Sequence, residues 1–318
     1  MTAYVVRRLL WLPVVLILVS FVTFALGIYG PGDPVQVMMG LRARPEVVEL
    51  VRKEYGFDRP FVVQYISYVA NALQGNFGYS IVKFPGQRVS DLLAKRFPIS
   101  IQLNIVALAW SLPLGIGLGV LAALKRRTWL DVFFRATAIL GASLPIIAFQ
   151  PILRFVLSRQ HEFGALKIGP LLPVGGWDGM FSPTVVMPAF ILGLGVVAVY
   201  TRQTRAAMID VLGSDYVRTA RAKGLKEWMV LVKHALRNAL IPLVTLIGFT
   251  IAGLFGGSFL VENFFGIPGV GGLAFDALLS REYYIIMAFT LIAATVYVIL
   301  NLLIDILYVF VDPQIRYK

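Results

Sequence analysis

Apolar positions along this chain gather into six long runs, at 9–28, 99–124, 132–157, 184–200, 239–261 and 285–311. A helix crosses the hydrocarbon core of a bilayer with roughly 17–25 mostly apolar residues, so the pattern predicts six membrane-spanning helices, of which 184–200 is the shortest. Arg135 and Arg154 fall inside the third run and Asp305 near the end of the last, which leaves those boundaries loose. The segment 31–98 reads differently. Two short amphipathic helices, 45–55 and 60–73, end at Gly56 and Gly75, glycine being the residue that most readily takes the left-handed turn closing a helix. A third is expected over 88–96, stopped by Pro98.

The polar stretch 215–242, DYVRTARAKGLKEWMVLVKHALRNALIP, has a pattern of its own. Ser214 or Asp215 can cap a first helix and Gly224 can end it. In the second, Leu225, Trp228, Met229, Val232, Ala235, Leu236, Ala239 and Leu240 recur at helical spacing. Lys226, Glu227, Lys233, His234, Arg237 and Asn238 fall mainly between them, giving one apolar and one wet face. On composition alone this is a positive loop that fixes topology.

Composition agrees with the spans. Over 318 residues the chain is 58% hydrophobic and 14% charged, with mean hydropathy +0.79, too apolar for an ordinary soluble domain. Its 29 Lys and Arg against 17 Asp and Glu would suit nucleic acid, but their placement argues against that partner: the cations sit mostly in short loops beside apolar runs. Arg7, Arg8, Lys125, Arg126, Arg127, Arg135, the basic residues of 202–237, Arg316 and Lys318 lie on one side. By the positive-inside rule that side is the cytoplasm and holds both termini. The first run is longer than the apolar core of a signal peptide and reads as an uncleaved anchor. The expected organisation is an anchor at 1–30, an external helical region at 31–98, and a five-helix core at 99–318 carrying a cytoplasmic loop at 202–238.

The order of residues in that loop changes its reading. Thr219-Ala220, three intervening residues and Gly224, followed by a run to Ile241-Pro242, resemble the EAA loop of bacterial ABC importer permeases, in the form used by the dipeptide/oligopeptide branch. Arg218 stands where most importers have Glu, Thr219 replaces the first Ala, and Arg237 sits where many have Pro. The opening YVVRRLL followed by Pro31-Gly32-Asp33-Pro34, the stretch GQRVSDLLAKRFPIS, the stretch GSFLVENFFGIPGVGGLAFDALLSREYY and the ending VDPQIRYK are also similar to that family, in the right order. The resemblance implies an all-α, polytopic membrane protein with the type I ABC importer permease fold. It implies a coupling helix made by Asp215, Tyr216, Arg218, Thr219, Ala220, Arg221, Ala222, Lys223, Gly224 and Leu225, docked on an ATPase. It further implies a second homologous permease subunit, two ATPase subunits that bind ATP and magnesium, an extracytoplasmic substrate-binding protein, and a location in a bacterial or archaeal cytoplasmic membrane. Permeases for nickel complexes or other small solutes share the family.

Catalytic chemistry finds little support. His161 and His234 are the chain's two histidines; His161-Glu162 lacks the second histidine of H-E-x-x-H, and no G-x-S-x-G elbow occurs. Zero cysteines remove thiolate nucleophiles and Cys-based metal sites. The glycines of 265–272, FGIPGVGG, are followed by no G-K-[ST], and Gly115, Gly117 and Gly119 lie inside an apolar run, where they permit close helix packing. Scarce membrane-embedded acids weigh against an ion-coupled secondary transporter. Gln102, Asn104, Ser143, Gln150 and Thr245 either line a hydrated path or bond between helices. In the family, Glu262, Pro268 and Gly269 lie at the external mouth, as a buried turn or a substrate contact. The segment 31–98 is either a platform for a binding protein or a lid on the membrane.

The charge pattern gives a first test: single cysteines at Lys223, and at Gln74 or Asp178, introduced into a chain with no native cysteine. Impermeant maleimide applied to intact cells should label positions 74 and 178 and leave 223 unlabelled until the membrane is opened; labelling of 223 from outside would invert the topology.

Overall fold

The computed structural model describes residues 2–29, 35, 44–54, 56–143, 146–158, 161–163, 166–168, 171–253 and 256–311. Thirteen helices of at least seven residues carry the described chain. The N-terminal helix α1 is Thr2–Tyr29. The expected external region contributes α2, Pro45–Glu54, and α3, Phe61–Leu73, each followed by a glycine of positive φ at Gly56 and Gly75. Then come α4, Val89–Leu124, α5, Trp129–Ser143, α6, Ile146–Ser158, and α7, Val186–Leu212. The polar loop forms α8, Asp215–Ala222, and α9, Glu227–Ala239, whose middle at Val230–Leu236 is π-helical. The chain ends with α10, Ile241–Gly253, α11, Phe259–Phe265, α12, Val270–Ser280, and α13, Tyr283–Val311. A short antiparallel hairpin, His161–Phe163 with Leu166–Ile168, carries the His161-Glu162 pair and is the exception to an otherwise helical chain among the described residues.

Four single helices among the described residues are long and apolar enough to cross a membrane, and α9 with α10 makes a fifth candidate, bent by 53°. The bend has a cause. Pro242 is the second residue of α10 and has no N–H with which to continue the hydrogen bonds of α9. The expected run 239–261 is thus broken at 240, and its last residues belong to α11. The expected run 132–157 falls on α5 and α6, with residues 144 and 145 between them outside the described set.

Two other expectations need correction. The helix expected to stop at Pro98 instead runs through Pro98 and Pro113 as the 36-residue α4. Pro98 and Ala94, one turn earlier, are both exposed, so the carbonyl that loses its partner is not trapped in the core. The run at 184–200 becomes a 27-residue helix, about 40 Å long, whose last turns carry Arg202, Arg205 and Asp210. The segments 31–34 and 312–318, which carry part of the family resemblance, lie outside the described residues.

The centre of the molecule is the seam between α4 and α7. A Cβ on Gly115 would lie 2.9 Å from Tyr200 Cβ, and one on Gly119 would lie 2.5 Å from Thr204 Cβ; only hydrogen fits there. Thr201 Oγ1 donates to the Gly115 carbonyl at 3.2 Å across the contact. Gly117, between them, faces open space. At one end of the seam Leu103, Ala107, Met187, Ile191, Val261 and Phe265 form an apolar core. At the other, Ala123 and Met208 pack with Ala235 and Ala239 of α9. The polar loop is therefore seated on the seam itself.

Candidate functional site

The loop 213–240 holds its shape through three local devices. Ser214 occupies the N-cap of α8, but its hydroxyl donates back to the Val211 carbonyl at 2.5 Å, and Asp215 is fully exposed at the first helical position; neither side chain caps the helix. Gly224 has φ +73° with open space around it, so the left-handed turn, and not crowding, is what calls for glycine. Arg221 closes that turn: Nη2 and Nε donate to the two carboxylate oxygens of Glu227 at 2.6 and 3.2 Å.

The inner face of the loop differs from the helical-wheel expectation. Val217 and Ala220 of α8 pack on Val230, with Val211, Leu212 and Leu225 around them. Val230, Ala235 and Ala239 are the buried residues of α9, whereas Trp228 is 63% and Val232 49% exposed. A π-helical segment brings i and i+5 onto one face, which is the step from 230 to 235. Spacing read at the ordinary period therefore assigned Trp228 and Val232 to the wrong face and missed Val230. Tyr216 is exposed, and its hydroxyl accepts from Asn238 Nδ2 at 3.0 Å. Arg218, Thr219, Ala222 and Lys223 are exposed with them, so one surface presents cations and apolar side chains together.

Behind the loop, Asp131 at the start of α5 is buried and paired. Arg205 of α7 donates Nε and Nη2 to its two oxygens at 2.7 and 2.8 Å, Arg127 N donates at 3.3 Å, and Arg135 Nε approaches to 3.4 Å. Single-residue reasoning missed this clamp. The signal available was the i, i+4 pair Asp131 and Arg135.

At the opposite end, the glycine-rich turn is built around Glu262. Its carboxylate is fully buried and accepts from Ser100 Oγ at 2.8 Å, Ser258 N at 3.0 Å and Gly272 N at 2.8 Å. Ser100 Oγ in turn accepts from Val270 N at 2.8 Å. Val270 and Gly272 belong to the first turn of α12, whose unpaired N–H groups and dipole favour a negative charge. A side chain on Gly269 would collide with Glu262 and Ser100, while Pro268 is exposed. Glu262 and Gly269 thus belong to a buried turn that satisfies its own backbone, and Pro268 stands exposed beside it.

A second carboxylate, Glu282, was not singled out from sequence. It accepts from Ser80 Oγ at 2.6 Å and from the successive backbone N–H groups of Ile81, Val82 and Lys83 at 3.0, 2.7 and 2.6 Å. Burial alone raises its pKa, but those hydrogen bonds outweigh it and hold the carboxyl below its ordinary value. Lys83 also pairs with Asp276. The end of the 31–98 segment is thereby fastened to the α12–α13 junction.

The expected path residues have different surroundings. Asn104 Nδ2 donates to the Ser100 carbonyl at 2.8 Å within α4, and Gln102 is half-buried. Gln150 is buried, with Nε2 unpaired among the described residues. Thr245 lines a separate open cavity of about 430 Å³ with Gln203 and Asp210, between α7 and α10. The side chain of Ser143 lies outside the described set.

With this geometry in view, comparison with known proteins is decisive. Residues 115–317 match the family described as binding-protein-dependent transport system inner membrane component, and residues 1–104 match its N-terminal region. The chain belongs to that family. It is 39% identical over 318 residues, the whole of both chains, to the glutathione transport system permease protein GsiC of Escherichia coli (strain K12), and equally to that of Shigella dysenteriae serotype 1 (strain Sd197). It is thus an ABC importer permease, a multi-pass inner-membrane component and not a catalytic subunit.

Gly224→Val tests the loop. A β-branched residue at φ +73° costs roughly 1 to 3 kcal/mol of backbone strain, so the turn should open and re-aim Trp228. Substrate-stimulated ATP hydrolysis in the assembled transporter should fall at least tenfold with membrane insertion unchanged; unaltered stimulation would remove the loop from the transmission path.

Proposed function

We propose that this chain forms half of the translocation pathway of an ATP-driven importer of di- and oligopeptides or peptide-like solutes. In this reading six spans, with both termini in the cytoplasm, pair with a second homologous permease; two ATPases bind ATP and magnesium and dock on 215–225, and an extracytoplasmic binding protein delivers the solute. The observation that carries it is the loop's seat: α8 and α9 pack directly on the end of the α4–α7 seam while Trp228, Val232 and the cations around them stay open. A push on that surface reaches two core helices at once, and alternating access needs such a two-state link.

A peptide-like solute is supported by the likeness to GsiC, whose transported glutathione is itself a tripeptide. Nickel complexes or other small solutes are the competing cargo.

Proteoliposomes holding this chain, its permease partner and both ATPases, supplied with the binding protein, decide between these. Uptake of a labelled dipeptide or of glutathione should require ATP, and this chain alone should hydrolyse none. Uptake restricted to a nickel complex would overturn the cargo; robust hydrolysis by this subunit alone would overturn the mechanism.

A further inference from the structure

The apolar stretch Leu9–Tyr29 of α1 has 21 residues, about 30 Å of helix and the thickness of the hydrocarbon core. Tyr65, in the middle of α3, donates its hydroxyl to the Ile17 carbonyl at 3.1 Å and lies 2.8 Å from Ser20 Oγ. Ile17 is some 18 Å down α1 from Tyr29. Helix α3 therefore lies beside α1 at membrane depth, not above it. Its inner face packs Phe61, Tyr65 and Tyr68 on Phe21 and Phe24. Its other face leaves Val62 and Ile66 more than half exposed, which suits acyl chains and not water.

Behind α3 is a cavity of about 250 Å³, walled also by α1, the 76–81 loop and the start of α13. Phe24, Ile28 and Met287 give it an apolar wall, and Arg59, Asn71 and Asn76 stand at its polar side. Two groups there have unspent capacity among the described residues. The Tyr68 hydroxyl, on a side chain about nine-tenths buried, has no hydrogen-bond partner. Arg59, just ahead of α3, is exposed and has no carboxylate partner among the described ion pairs. Phe61, two residues on, packs on Phe21, Phe24 and Tyr29 at 5.6, 5.4 and 5.3 Å, so Arg59 stands beside the last turns of α1, where its apolar stretch ends.

We propose that this cavity is a binding site for one anionic phospholipid of the adjoining leaflet, with its phosphate on Arg59 and one acyl chain running past Phe24, Ile28 and Met287. A guanidinium at headgroup level recognises phosphate by charge-assisted, bidentate hydrogen bonds. Tyr68 supplies a hydroxyl for the ester oxygens between headgroup and chain. The cavity takes part of the chain, and the remainder lies along exposed α1 and α3. The lipid would wedge α3 between α1 and α13, fixing the 31–98 segment that Glu282 fastens at its other end. This site lies away from the α4–α7 seam and holds whatever the transported solute is.

Native mass spectrometry tests it, with the full chain exchanged into equimolar phosphatidylglycerol and phosphatidylcholine of identical acyl chains and then stripped with detergent. Wild type should retain one phosphatidylglycerol, favoured about tenfold over phosphatidylcholine, as one charge-assisted contact provides. Arg59→Ala, at an exposed position, should lose the preference, Arg59→Lys should keep part of it, and Tyr68→Phe should weaken retention without changing headgroup choice. Equal retention of both lipids by wild type, or an unchanged preference in Arg59→Ala, would overturn the site. Displacement of the retained molecule by a dipeptide would also overturn it, by assigning the cavity to the solute.

Discussion

A charge or backbone group buried away from water must find its partner inside the protein, and that constraint organises this one. Three buried carboxylates show how it is met. Asp131 takes both nitrogens of Arg205, Glu262 takes the first turn of α12 together with Ser100, and Glu282 takes three successive N–H groups of another segment. Each joins elements far apart in sequence. Removing any one of these acids would leave its donors without acceptors, at up to roughly 1–3 kcal/mol for each that is buried. These acids are fasteners.

Between the fasteners runs the α4–α7 seam, where Gly115 and Gly119 let two backbones touch. Dispersion and close packing hold helices together where lipid competes for every apolar surface. A seam with no room for one methyl group at Gly115 or Gly119 cannot deform smoothly, so a displacement at one end is carried along its length. The loop α8–α9 sits at that end and the Glu262 turn flanks the other. The α8–α9 loop and the Glu262 turn thus pack against the same pair of helices.

Much of this was legible in the sequence, for identifiable reasons. Apolar run length located four long helices and the bent α9–α10 pair, whereas the run 132–157 falls on the two shorter helices α5 and α6; Gly56, Gly75 and Gly224 announced their turns because few other residues tolerate positive φ. What failed was whatever depended on local geometry departing from the ideal. Pro98 did not stop α4, since its lost hydrogen bond falls on an exposed face. The π-helical segment of α9 turned Trp228 outward and Val230 inward, a shift that no 3.6-residue period can reveal. Glu282 looked like any acid ahead of an apolar run, because its partners at 80–83 lie some 200 residues away. Glu262 stood out in the sequence only through family likeness, and its place at the first turn of α12 needed Ser100 and Gly272 beside it.

The central claim is that the face bearing Trp228 and Val232 is where force enters this permease. Trp228→Cys carrying a benzophenone, photolysed in the assembled transporter, measures this directly. The account predicts an adduct with an ATPase subunit whose yield changes when ATP is bound. Adducts with lipid alone, or a yield no greater than from the same probe at Gln74, would contradict it.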